Sequence, residues 1–141
     1  MSSEIVTIRS FFTLLYDAVA HMEMYPELTA KKTILSKNIS KGMSLYISRG
    51  MTLDDNVTDL IQYNDKCIMQ LAWFLVFGLK VDQGVEYSIA YEDTIAKYDN
   101  MVEKFLTKIL IKPKFFRKLN DYEREQLQII QVIINDHENK C

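Results

Sequence analysis

Hydrophobic residues recur in alternating steps of three and four along the first part of the chain. They are Ile5, Ile8, Phe12, Leu15, Val19 and Met22. This spacing places them along one face of an α-helix, in the pattern typical of helices that pack in bundles. Pro26 disfavours helical backbone at the residue before it. The pattern therefore predicts a first helix that ends before Pro26.

A second amphipathic segment runs from Thr29 to Arg49. Its apolar face is formed by Ile34, Leu35, Ile39, Met43 and Tyr46. Thr29 is predicted to cap the N-terminus of this helix, and Gly50 suits the left-handed conformation that often follows a helix. We therefore expect a helix over Thr29 to Arg49.

A third helix is predicted to start at Asp54 or Asp55, where acidic side chains oppose the positive end of the helix dipole. The apolar positions that keep the bundle spacing are Val57, Ile61, Ile68, Leu71 and Leu75. From Ile68 to Leu79 the chain is apolar almost all round the helix. This stretch is predicted to be the most buried element.

Two further segments follow in the C-terminal part of the chain. The fourth helix is predicted from the steps between Tyr91, Ile95, Tyr98, Val102, Phe105 and Ile109, and Pro113 ends it. Asn120, followed three positions later by Glu123, indicates a capping box. The stretch from Asn120 to Asp136 is rich in β-branched residues, which would also suit a strand. Because no partner strand is evident, helix is the better interpretation.

Together these segments predict an all-α fold. The expected architecture is an up-down-up-down four-helix bundle with an additional C-terminal helix. A chain of 141 residues suits one domain, with the core bundle at about 4–112 and a C-terminal segment at about 113–141. With four glycines and two prolines, the composition also disfavours a turn-rich β-sandwich.

Cysteine use and hydropathy indicate where the protein resides. Cys67 and Cys141 do not form a cysteine-rich framework, so we expect a reducing, cytoplasmic compartment, with Cys67 as a buried thiol. The first residues lack the basic and then apolar pattern of a secretory signal. The most apolar run, Cys67 to Leu79, is 13 residues long, whereas a bilayer span needs about 20. We therefore expect no membrane insertion.

The residues that catalysis or metal binding would need are sparse. His21 and His137 are the two histidines, neither is near Cys67, and no pair of ligands has the spacing of a zinc site. The segment between Gly78 and Gly84 lacks the Gly-Lys-Ser/Thr ending of a phosphate-binding loop. The sequence thus favours a protein that is not an enzyme and uses no cofactor or metal.

Basic residues are concentrated in two windows of a chain whose formal net charge is −2. From Leu28 to Leu53 there are five positive residues and no negative one, and from Lys104 to Asn120 there are six and none. Candidate contacts to nucleic acid are Lys31, Lys32, Lys37, Lys41, Arg49, Lys108, Lys112, Lys114, Arg117 and Lys118. Such a surface could bind RNA or DNA. Alternatively, lysines near helix ends stabilise their own helices against the dipole, and the acidic start of the third helix cancels part of the field.

Phe115 and Phe116 follow Pro113 directly and cannot continue the apolar face of the fourth helix. Two interpretations are open. Either the rings pack under the C-terminal segment, or they form an exposed anchor for another chain.

Several short sequences, in this order, resemble those of a known family of four-helix bundles. They are Phe12, Leu15 and Tyr16 with Met24-Tyr25-Pro26; Leu28-Thr-Ala-Lys-Lys-Thr-Ile-Leu-Ser-Lys-Asn-Ile39; Leu71-Ala-Trp-Phe-Leu75, ending at Leu79; and a tyrosine-bearing helix from Tyr87 to Leu106. Over roughly residues 11–110 the chain is similar to the 23S rRNA intervening-sequence proteins. It is most similar to their relative, the accessory variability determinant of diversity-generating retroelements.

This resemblance implies a ring-forming oligomer that binds RNA and a reverse transcriptase. It also implies that Lys31, Lys32 and Lys37 contact phosphates. The chain departs from the family in its mildly acidic isoelectric point of about 5.7 and in the segment that follows Pro113.

Two functional hypotheses follow from these patterns. The first is a non-enzymatic accessory or adaptor bundle that self-associates as a homo-oligomer and binds RNA or DNA through its basic segments. The second is a protein-interaction module that binds a partner's amphipathic helix in an apolar groove, as viral Bcl-2-like proteins do. The apolar stretch from Ile68 to Leu79 suggests the second class, although the chain lacks an Asn-Trp-Gly-Arg-like motif. An enzyme is the least supported class.

Overall fold

The computed structural model describes residues 5–95 and 116–140. Their helices are α1 (Ile8–Met22), α2 (Thr29–Ser48), α3 (Val57–Ile61), α4 (Lys66–Asp82), α5 (Tyr87–Ile95) and α6 (Asp121–Asn139), and a 3-10 helix (Pro26–Leu28) leads into α2. These residues contain no β-strand, only an isolated bridge between Thr7 and Asn56. The all-α prediction is therefore confirmed. The up-down-up-down order stays a prediction, since most of the predicted fourth helix and Pro113 fall outside the described residues.

Helix α1 begins at a threonine cap. The Oγ1 atom of Thr7 accepts a hydrogen bond from the Ser10 N–H at 3.2 Å, and the predicted apolar face from Ile8 to Met22 is buried. The prediction that Ile5 belongs to this face is wrong, because Ile5 precedes the cap and is 56% exposed. Val6 is buried instead, and its carbonyl accepts a hydrogen bond from the N–H of Val57.

Helix α2 confirms the predicted second helix, but its start differs in detail. The 3-10 turn runs directly into α2, and the Thr29 hydroxyl donates a hydrogen bond to the Pro26 carbonyl at 2.8 Å instead of capping the helix. Gly50 ends the segment with a φ of +74°, as predicted. Ile34 was expected on the buried face but is exposed. It lies about 100° round the helix from the buried Leu35 and faces away from the core.

The predicted third helix is two helices. Between α3 and α4 the backbone of Asn64 is left-handed, with a φ of +52°, and such a residue cannot continue an α-helix. The next residue, Asp65, caps α4 by accepting a hydrogen bond from the Cys67 N–H at 2.9 Å. The expected start at Asp54 or Asp55 is also wrong, because Asn56 caps α3 through the Thr58 N–H.

Helix α4 is buried over most of its length, as predicted. From Ile68 to Leu79 its side chains are buried, with Met69 and Gly78 partly so, and it packs against α2, α5 and α6. Helix α2 lies close to α4 at Gly42, where a Cβ atom would lie 3.0 Å from Cδ1 of Ile68. The absence of a side chain at Gly42 therefore sets the distance between α2 and α4.

The C-terminal segment is a helix, and its predicted capping box is confirmed. The Glu123 N–H donates to Oδ1 of Asn120 at 2.8 Å, and the Asn120 N–H donates to Oε1 of Glu123 at 3.0 Å. Helix α6 packs against α3 and α4. Across residues 5–95 and 116–140, no helix combines the length and the hydrophobicity needed to cross a membrane.

Candidate interaction surfaces

The candidate nucleic-acid contacts in the first basic window lie on α2. Lys37 and Lys41 are exposed. Lys32 is half-buried, and its Nζ lies 2.7 Å from Oε1 of Glu23. Lys31 also lies in α2. Over its described side chains this helix therefore presents two solvated lysines and one lysine that is paired within the chain.

Arg49, at the end of α2, stacks on an aromatic ring. Its guanidinium carbon lies 4.0 Å from the centre of the Tyr63 ring, a cation–π contact that joins α2 to the residues after α3. Nearby, Arg9 lies 3.6 Å from the carboxylate of Asp54, and both side chains are exposed. Asp54, before α3, thus lies close enough to Arg9 to compensate part of its charge.

The basic residues of the second window are divided by the described range. Lys108, Lys112 and Lys114 lie outside it, as does Phe115. Arg117 forms a two-pronged ion pair with Glu123, in which Nη1 donates to Oε1 at 2.9 Å and Nη2 donates to Oε2. The bond from Arg117 lowers the pKa of Glu123, against the opposing effect of burial. Arg117 is therefore paired within the chain, at the first turn of α6. Lys118 is exposed.

Phe116 is partly buried against its own chain. Its ring centre lies 5.7 Å from that of Phe74 and 5.2 Å from that of Phe77, and Gly78 lies beside it, where a Cβ would be in ordinary van der Waals contact with Cδ1 of Phe116 at 3.4 Å. The adjoining apolar cavity, between α1, α4 and α6, is only about 40 Å³. A cavity of that size holds about one water molecule and no larger ligand.

Three adjoining depressions lie along α3 and α6, and together they are here called the α3–α6 groove. Its first part lies on α6, where Glu125, Gln128, Ile129, Val132 and Ile133 line it. Val132 and Ile133 also line the second part, together with Thr58, Ile61, Gln62, Asp136, His137 and Lys140. Gln62 continues into the third part, which Met51, Asp55, Asp59 and Tyr63 complete. The first two parts share Val132 and Ile133, and the second and third parts share Gln62.

The α3–α6 groove has an apolar floor and acidic edges. Val132 is 67% exposed, and Ile129 and Ile133 beside it are partly buried. Among the described residues that line the groove, the charged side chains are Asp55, Asp59, Glu125, Asp136 and Lys140. Lys140 pairs with Asp136 at 3.0 Å, one helical turn away. The groove is therefore both hydrophobic and negatively charged.

The sequence contained a signal for this surface that the pattern analysis did not use. The β-branched run from Ile129 to Ile134 was weighed as helix against strand. On the helix that the structure shows, Ile130 and Ile134 face the core, whereas Val132 lies about 160° away from Ile134. Such a run is apolar over a wider arc than one core contact can cover, so part of it must meet solvent or another molecule.

Metal-binding and nucleophilic groups are not assembled in the described part of the chain. Residues 5–95 and 116–140 contain no group of three or more His, Cys, Asp or Glu side chains that could hold a metal ion. Cys67 is buried, as predicted, and its Sγ donates a hydrogen bond to the Asn38 carbonyl at 3.2 Å. Burial raises the pKa of this thiol, which keeps it in the unreactive protonated form at neutral pH.

Comparison of the chain with protein-family models, with curated proteins and with solved structures gave no match in any of the three. The function is therefore inferred from the chain's own residues.

Proposed function

We propose that the protein is a non-enzymatic adaptor, a helical protein-interaction module that binds a segment of another protein in the α3–α6 groove. The observation that carries this proposal is the exposure of Val132 beside Ile129 and Ile133, where two adjoining depressions share Val132 and Ile133. Exposed apolar surface with a polar rim is typical of protein-binding sites. The proposal retains the helical-module class that the sequence suggested and locates its groove between α3 and α6. The groove does not lie at Trp73 in the apolar α4, because that side chain is only 4% exposed.

The pairing of basic residues favours a protein partner over a nucleic acid. In the described part of the chain, Arg9, Lys32 and Arg117 lie beside carboxylates, and Arg49 is stacked on Tyr63. Phosphate binding would have to break these contacts. Among the described side chains of α2, Lys37 and Lys41 remain exposed, and two such contacts alone give weak binding, because each phosphate contact contributes only part of the affinity.

A second candidate function concerns helix α2, which carries the basic residues of the first window. Helix α2 contains no acidic residue over Thr29–Ser48 and exposes Lys37 and Lys41. This supports the hypothesis of a self-associating accessory bundle of up-down-up-down architecture that binds RNA or DNA. An association with a reverse transcriptase belongs to that second candidate.

The test of the proposal uses two exposed apolar residues on different helices. Val132 lies in the groove and is 67% exposed, and Ile47 lies on α2 and is 62% exposed. A photo-crosslinking amino acid would replace each of them in turn in cells that express the protein. We expect crosslinks to one defined protein from position 132, loss of that interaction in Val132→Glu, and its retention in Ile47→Glu.

Binding of labelled single-stranded RNA and duplex DNA, measured by fluorescence anisotropy at about 50 and 200 mM salt, separates the two candidates. Tight, salt-sensitive binding that Lys37→Glu and Lys41→Glu abolish, with equal partner capture at positions 132 and 47, would replace the groove proposal by the nucleic-acid one.

A further inference from the structure

We infer that the occupant of the α3–α6 groove is an amphipathic helix of a partner protein whose apolar face is flanked by two basic residues about eleven positions apart. This inference rests on the proposed function and specifies the chemistry of the partner. It is carried by the spacing of acidic residues along α6 and by the apolar residues between them.

The two carboxylates of α6 that line the groove are Glu125 and Asp136. Eleven residues is close to three turns of an α-helix, so both side chains project from the same side, separated by about 16 Å along the axis. Ile129, Val132 and Ile133 lie between them. Helix α6 thus presents an apolar centre with a carboxylate near each end, of which Asp136 also pairs with Lys140 at 3.0 Å.

The third part of the groove, beside α3, is negative as well. Asp55 and Asp59 line it beside Gln62 and Tyr63, whereas Lys140 is held by Asp136 across one helical turn. A ligand that lies along α6 therefore comes close to the carboxylates of Glu125 and Asp136, and it approaches Asp55 and Asp59 only where it reaches past Gln62. Acidic peptides, nucleic acids and anionic lipid surfaces would meet like charges there, which opposes binding.

The shape of the site favours a helix over an extended peptide. An extended segment gains most of its affinity by adding to an exposed sheet edge, and residues 5–95 and 116–140 form no sheet. A helix satisfies its own backbone hydrogen bonds and needs only side-chain contacts from the groove. A helix aligned with α6 would place apolar residues at steps of three and four against Val132, with Lys or Arg near Glu125 and Asp136.

The experiment is a selection from a displayed library of helical peptides of about 16 residues, which is long enough to reach both carboxylates. Apolar positions vary among Leu, Ile, Phe and Met, and two flanking positions eleven apart encode Lys, Glu, Gln or Ser. The bait is the full chain, with Val132→Glu as the counter-selection. We expect Lys to be enriched over Glu at both flanking positions.

A charge reversal then tests the electrostatic contacts directly. The double variant Glu125→Lys/Asp136→Lys should bind the selected basic peptide about tenfold more weakly at low salt. The difference should shrink at high salt, because exposed charges are screened. Selection against this variant should enrich Glu at the same two positions. Retained preference for Lys by the double variant would overturn the inference.

The outcomes distinguish this inference from the function on which it rests. Groove-specific peptides without any charge preference would overturn the basic flanks and leave the interaction module standing. If no selected peptide loses binding in the Val132→Glu variant, both the inference and the proposed function are overturned. Two other occupants are tested by crosslinking from position 132 in the purified chain. Crosslinks to residues 96–115 of the same molecule, or to a second copy with concentration-dependent assembly, would also overturn the inference.

Discussion

Arg124 and Asp82 join the start of α6 to the end of α4. The Nε atom of Arg124 donates a hydrogen bond to Oδ2 of Asp82 at 2.5 Å, and the Asp82 side chain is only 4% exposed. The other carboxylate oxygen, Oδ1, accepts a hydrogen bond from the Leu119 N–H at 3.1 Å. One buried carboxylate therefore fixes both the approach to α6 and its first turn.

Removal of this carboxylate should destabilise the fold. Asp82→Ala leaves the Leu119 N–H and the Arg124 guanidinium without their buried acceptor, which we expect to cost about 2 kcal/mol in the free energy of unfolding. Urea denaturation followed by circular dichroism measures the change. The matched control is Asp121→Ala, which removes the exposed partner of the same arginine and should cost less than about 1 kcal/mol. Equal costs for the two variants would contradict the role assigned to Asp82.

Low pH should reduce the free energy of unfolding, because Asp82 and Glu123 become protonated. Burial by itself raises the pKa of Asp82, but hydrogen bonds from Arg124 and from the Leu119 N–H outweigh it and hold that pKa below its usual value. The pKa of Glu123 is also lowered, chiefly by Arg117. Their stabilisation is therefore complete above the unfolded-state pKa values of about 4 and is lost as the pH falls through the lower folded-state values.

The measurement is the unfolding free energy as a function of pH from about 6 down to about 2. Glu123→Gln should be less stable than the natural chain at pH 6 and should lose less stability over this range, because glutamine does not titrate. Parallel curves for the two proteins would show that Glu123 has the same pKa in the folded and unfolded states.

A side chain at Gly42 should separate α2 from α4. A Cβ there would already lie 3.0 Å from Ile68 and 3.3 Å from Leu71, so Gly42→Val forces the two helices apart and should cost about 2 kcal/mol. Ser44→Val, at an exposed position of the same helix, tests the effect of a β-branched residue alone and should cost well under about 1 kcal/mol. A cost at Gly42 no larger than at Ser44 would refute the close approach.

Replacing Asn64 by glycine should leave the thermal stability nearly unchanged, whereas replacing it by valine should lower the thermal stability. Its φ of +52° is accessible to glycine without strain, whereas a β-branched residue pays about 1 to 2 kcal/mol in that region. We therefore expect Asn64→Gly to keep the melting temperature within a few degrees, while Asn64→Val lowers it. The comparison is made by thermal denaturation, and an equal effect of both substitutions would indicate a continuous helix in place of the break.

Local features were the ones that the sequence predicted well. The capping pair Asn120 and Glu123 and the left-handed Gly50 depend on residues close to them in the chain, and the buried face from Ile68 to Leu79 follows from helical periodicity. The break at Asn64 was missed because apolar spacing continues across it from Ile61 to Ile68.

The candidate site could not be predicted in the same way. Which part of α6 stays exposed depends on how far α3 and α4 cover it, and this is a property of tertiary packing. Arg117, a predicted phosphate contact, pairs with Glu123 through a local bond, whereas Arg124 meets Asp82 across 42 positions of sequence. Composition and charge windows contain no information about such partners.

The short helix α3 forms one side of the groove and has only five residues, too few to be stable alone. It is held by the hydrogen bonds that link Val57 to Val6 and Ile8 to Asp55. These pairs are separated by about fifty positions. Closing so long a loop costs conformational entropy, and contacts between α1 and α2 must offset that cost before the loop closes. We therefore expect this side of the groove to form late in folding. A chain emerging from the ribosome would then acquire its binding surface only after its helical core has assembled.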